Sequence, residues 1–281
     1  EGSIEVEAEI LELKPKLELS GRTLTLNQTS DRAVQWDNIT LQSNQQISVK
    51  SLGNIKISGS VLSSGDVMFE SDKNMDLKST DSRIAGKTTL KARNMLSLSG
   101  LLVGLSSMLF SAKDIKVQPQ AQIESPADVT IDTGEVLTIQ PDCAVVGKDL
   151  SIKSPTVTNE GLLQGSDSVS LNIVQQLTND GQVLSDGRVA ITTPLLRNNG
   201  RIQSSSGEFT VANLSNAGSI WISGPLTTTG DKIINTGWMR MDGPWNGKFN
   251  TFENQAGWVK GATVDFKDPM HWFNKARMDF S

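Results

Sequence analysis

One histidine, His271, and one cysteine, Cys143, are the whole supply of the two side chains most used for nucleophilic and metal chemistry in this 281-residue sequence. A Ser–His or Cys–His relay would have to run through His271, in the phrase DPMHWFNK, and so distant a single pair is no zinc site. Cys143 reads as a small buried apolar side chain and allows no intrachain disulfide. No phosphate-cradling glycine loop, HExxH or DxDxDG occurs. Carboxylates are plentiful but scattered. Asp128, Asp149 and Asp167 follow one another at intervals of 21 and 18. Coiling at that period would align them on one flank, as in a β-helical polysaccharide lyase or hydrolase. A row of like charges more often means a solvated edge. The sequence nominates no catalytic residue, no cofactor and no metal, and the expectation is a chain that is not an enzyme.

Asparagine and glycine carry the regular spacing. TNEG, TNDG, RNNG, SNAG, INTG and NQAG end at Gly161, Gly181, Gly200, Gly218, Gly237 and Gly257, at intervals of 20, 19, 18, 19 and 20. Their asparagines are Asn159, Asn179, Asn198, Asn216, Asn235 and Asn254. An amide carries both donor and acceptor, so asparagines stacked turn upon turn hydrogen-bond along the stacking axis. Glycine, and less readily asparagine, reaches the left-handed backbone angles that sharp corners ask for.

The elements that hold these corners read as short strands. Val129/Ile131, Leu150/Ile152, Val169/Leu171, Val189/Ile191 and Phe209/Val211 are i, i+2 apolar pairs stepping by 21, 19, 20 and 20, and that pair spacing places both side chains on one face of a strand. Leu24/Leu26, Ile47/Val49, Ile55/Ile57, Val67/Phe69, Met75/Leu77, Leu96/Leu98 and Ile115/Val117 extend the pattern toward the start. Leucine-rich repeats need a helical segment per period, and propeller blades need about 40 residues. The expected fold is all-β: a right-handed parallel β-helix, or solenoid, of about 20 residues per turn with an aromatic-rich carboxyl end. It reads as a single rod over residues 1–281, with looser repeats in 1–120, regular NxG repeats in 121–257 and a terminal turn or cap in 258–281.

Composition narrows the partners. A net charge of −5, a pI near 5.1 and the lack of a basic run argue against nucleic acid. The longest apolar phrase, LLVGLSSMLF, falls short of the ~20 residues of a membrane span. Without an initiator Met or signal peptide, the sequence reads as an internal piece of something longer. Trp238, Trp245, Trp258 and Trp272 crowd the last 45 residues with Phe249, Phe252, Phe266, Phe273 and Phe280. They form either a wider core with a cap, or a surface that contacts a glycan or receptor.

The phrase LTNDGQVLSDGRVAITTPLLRNNGRIQSSSGEFTVANLSNAGSI resembles the repeats of filamentous haemagglutinins and related exoproteins of two-partner secretion, closely between about residues 145 and 240 and more loosely over 20–144. Contact-dependent growth inhibition exoproteins carry similar repeats. The resemblance implies a secreted or cell-surface rod of a Gram-negative bacterium. It implies an outer-membrane two-partner secretion transporter as export partner, and a target-cell receptor or glycan as contact. The rod would serve as adhesin or toxin-delivery stalk, or as the receptor-binding segment of an inhibition exoprotein.

Overall fold

Apolar pairs two residues apart, punctuated by polar corners, can bury one face only if each strand lies on an equivalent strand. A computed structural model of the chain has that arrangement. It describes residues 2–266 and 271–280, with only the backbone at 262–264, 266, 271, 272 and 280. Every regular element described is a strand, and no helix is long and apolar enough to cross a membrane. Contacts gather the chain into two compact units, Glu1–Gly147 and Lys148–Ser281.

In the first unit three stacks of parallel strands are visited in rotation. One stack carries Leu24, Ile47, Val67, Thr88, Met108 and Val129 in register. A second carries Ile55, Met75 and Leu96, and a third carries Leu41, Val61 and, after a bulge, Leu102. The inward pairs are the ones the spacing predicts: Leu24 and Leu26, Val67 and Phe69, and Leu96 and Leu98 are all buried. Full burial of each such side chain contributes on the order of 1.5–3 kcal/mol, which a lone turn could not turn into stability against the entropy of ordering it.

The second unit repeats the scheme more regularly. Val169 pairs Val189, which pairs Gly207, then Leu226 and Trp245. Beside this stack runs the asparagine stack, and then a short-strand stack from Leu162–Asn179 through Gln182–Ser185, Arg201–Ser204, Ser219–Ile222, Trp238–Lys248 and Trp258–Phe266 to Arg277–Phe280.

One physical reason given above for the corner glycines needs correction. The glycines with positive φ are Gly59 (133°) and Gly100 (78°), and the NxG glycines are not among them. Those are small because of close approach. A Cβ on Gly200 would lie 2.0 Å from the carbonyl oxygen of Gly181, and one on Gly218 would lie 2.0 Å from that of Gly200.

Candidate functional site

The asparagine stack is a continuous amide ladder. Asn159, Asn179, Asn198, Asn216, Asn235 and Asn254 are each wholly buried. Each Nδ2 donates to the Oδ1 of the next: 2.7 Å from Asn159 to Asn179 and from Asn198 to Asn216, and 2.9 Å from Asn235 to Asn254. The second Nδ2 hydrogen of Asn159, Asn179 and Asn198 reaches a backbone carbonyl of the following turn, those of Gln182, Arg201 and Ser219 at 3.1–3.2 Å. Gly161, Gly181, Gly200, Gly218, Gly237 and Gly257 stand two or three positions after each asparagine at the same corner. The ladder runs one step further than the motif, to Asn274, which accepts from Asn254 at 2.9 Å. No NxG phrase marks Asn274; only its distance from Asn254 betrays it. At the other end Asn159 Oδ1 has no donor.

The four tryptophans singled out from the sequence part company. Trp245 is fully buried, its Nε1 donates to Thr228 Oγ1 at 3.0 Å, and its ring packs on Phe249 and Phe252 at 6.0 and 5.7 Å. Trp238 is 61% exposed and meets half-buried Trp258 edge to face at 4.9 Å. The side chains of Trp272 and His271 lie outside the described residues, although their backbones pair with Phe252 and Thr251.

A pair of clasps that sequence reasoning missed organises the outer face. The Arg240 guanidinium lies 4.9 Å from the centre of Trp221, whose Nε1 donates to Asp242 at 3.0 Å, while Arg240 Nε pairs with Asp242 at 2.8 Å. Thirty-seven positions on, Arg277, Trp258 and Asp279 repeat the set at 5.9, 2.9 and 2.7 Å. The signal was present as the tripeptide RMD, which occurs at 240–242 and again at 277–279.

Hydrogen bonding from Arg240, and then from the Trp221 indole, holds the Asp242 carboxyl below the ordinary carboxylate range, and the Trp258 indole followed by Arg277 does the same for Asp279. A lowered folded value means support that is complete above the ordinary carboxylate range and lost as pH falls through the lower folded value. Acid titration below about pH 4 should therefore change the tryptophan emission as both indoles lose their acceptors. The double variant Asp242→Asn/Asp279→Asn should flatten that change; its persistence there would place the acid response elsewhere.

The remaining candidates are occupied. Cys143 is buried, its thiol donates to the Gln118 carbonyl at 2.6 Å, and burial pushes the thiol up. Within the second unit Asp149 accepts from Ser168 at 2.5 Å and Asp167 faces Lys148 at 3.5 Å. Among the described residues no group of three or more His, Cys, Asp or Glu could hold a metal ion.

Comparison with known proteins points in one direction. The chain is 33% identical over 90 residues to Toxin CdiA of Escherichia coli and 33% identical over 89 residues to tRNA nuclease CdiA of Escherichia coli strain NC101, each match covering 31% of this chain and 3% of the relative. It is 25% identical over 215 residues, 75% of this chain and 6% of the relative, to Deoxyribonuclease CdiA of Dickeya dadantii strain 3937. The chain thus spans a few hundredths of these relatives' length. No family model matches it, and no solved structure matches it. The expectation that the chain is not an enzyme is corrected here. Relatives are named for nuclease activity, and nucleic acid enters as what those whole proteins act on.

Proposed function

We propose that this chain is a β-solenoid segment of a contact-dependent inhibition exoprotein of the filamentous haemagglutinin type. The exoprotein is exported by two-partner secretion through an outer-membrane transporter and held at the surface of a Gram-negative cell. In this reading the parent protein carries a nuclease activity like that named for the relatives, and the segment brings it to a neighbouring cell. The similarity to a CdiA protein across 215 residues of stacked turns supports the reading most directly. The physical chemistry agrees with it. A turn stabilised by its neighbours alone can be added one after another outside the cell, and the stack gains reach without a larger core.

The test is a co-culture. Producers of the full exoprotein should inhibit targets and degrade their nucleic acid, and producers lacking the 281 codons of this segment should not. Undiminished inhibition by the deleted producer overturns the proposal. The outward Trp238–Trp258 pair favours a second reading, in which this stretch itself touches the target.

A further inference from the structure

Along the corner that follows the asparagine ladder lies a shallow open groove of about 710 Å3, lined by Glu160, Asp180, Gln182, Asn199 and Arg201 and, in the last of these turns, by Trp238. Asn199 Nδ2 donates to Asp180 Oδ1 at 2.7 Å, so the walls are ordered before anything binds. Trp238 projects from the end of the groove, 61% exposed, and Trp258 at 4.9 Å and 81° fixes the angle of its ring. So large an exposed apolar ring on the outer face of a stack is the kind of surface that a partner covers.

We infer that this groove and the Trp238 face bind a neutral chain of hexopyranose units. Charge argues for that occupant. Two carboxylates, Glu160 and Asp180, stand against the single cation Arg201 along the groove, so no positive field draws a polyanion to it. On the adjoining face Arg240 and Arg277 are each matched by a carboxylate, Asp242 and Asp279, leaving little field to draw an ionic partner. A protein partner would want an apolar centre, and here only Trp238 and Ala217 offer one. A sugar ring presents an apolar C–H face to an indole, and hydroxyls that both give and take hydrogen bonds. Carboxylate, amide and guanidinium groups supply both kinds of partner. Strand spacing of roughly 4.8 Å, close to the length of one pyranose ring, sets a different polar side chain beside each successive sugar: Gln182, Arg201 and Ser219 in one row, Glu160, Asp180 and Asn199 in the other.

The inference deepens the target-contact reading and is tested separately from it. The 281-residue chain is titrated, by calorimetry and tryptophan emission, with soluble neutral oligomers of glucose, mannose and galactose and with a uronic acid series. Binding to at least one neutral series is expected, tightening with length until the groove is filled. Trp238→Ala should weaken it about tenfold, from the loss of one stacking contact. Arg201→Ala, at a surface position that leaves the core untouched, should weaken it severalfold and guards against misfolding of the first variant. No binding to any neutral series, an affinity unchanged in both variants, or an affinity that rises with the negative charge of the sugar overturns the site. Absent sugar binding with intact co-culture inhibition discards this site alone; intact sugar binding with no inhibition discards the delivery role alone.

Discussion

Replacing Asn198 with Asp is expected to destabilise the second unit by about 3 kcal/mol or more at neutral pH, and by less in acid, the reverse of the usual acid response of a protein. Asn198 sits in mid-ladder. It accepts from Asn179 at 2.7 Å and donates to Asn216 at 2.7 Å and to the Ser219 carbonyl at 3.2 Å. A carboxylate keeps the first contact and turns the other two into acceptor facing acceptor, in a site with no exposure and no cation among these partners. Protonation restores one donor. The folded pKa of the new acid therefore rises above its unfolded value, so stability is greatest below the unfolded value and declines as pH climbs through the folded one. Asn198→Ala should cost about 2–4 kcal/mol at any pH, from groups left unpaired on both sides. Asn159→Ala should cost less, because its Oδ1 already lacks a donor and only the two bonds it donates, to Asn179 Oδ1 and the Gln182 carbonyl, are lost. Hydrogen exchange along the unit, read against pH, separates these cases. An Asn198→Asp protein that is most stable at neutral pH would show that the ladder does not hold the stack together.

That ladder was legible because its logic is one-dimensional. Stacking a turn on a turn forces equal spacing, and equal spacing survives in the sequence as NxG. The inward pairs were legible for the same reason: strand alternation is local, so Val169 and Leu171 announce their shared face without knowledge of the neighbours. Trp245 and Trp238 show where this stops. Both belong to an aromatic-rich stretch, and composition treats them alike. Alternation separates them, since Met239 and Met241 are buried and their odd-numbered face excludes Trp238 and Arg240. Trp245 instead continues the inward row of Gly207 and Leu226, in register with Leu226 of the turn before. Burial of a large ring thus depended on which row it entered, which an unaligned aromatic count does not contain. The clasps were hidden differently. Trp221 reaches Arg240 and Asp242 across a turn, so the partners stand 19 and 21 positions apart and look unrelated until the coil is wound.

The other large effect concerns backbone rather than side chains. Gly200→Ala should cost about 3 kcal/mol or more, through overpacking that no rotamer change relieves. The added methyl would lie 2.0 Å from the Gly181 oxygen and 2.8 Å from the Asp180 carbonyl carbon, both main-chain atoms held in the turn before. Relief requires the two turns to separate at this corner. There Gly200 N donates to Asn179 O at 2.9 Å and Arg201 N donates to Gly181 O at 2.9 Å. Lengthening these bonds loosens the ladder directly beside them, so the methyl should also raise exchange at Asn199 and Arg201 by more than the global loss accounts for. The matched control is Gly134→Ala in the first unit, where the nearest atom to the added carbon is Lys113 Cα at 3.4 Å, an ordinary contact. That change should stay within about 0.5 kcal/mol, or stabilise slightly by narrowing the unfolded ensemble. Equal melting temperatures for the two variants would mean that the corner glycines are kept for some cause other than the closeness of successive turns. A large gap, with the loss centred on the ladder, ties the small residue and the amide beside it into one device: glycine lets the turns approach, and asparagine joins them once they have.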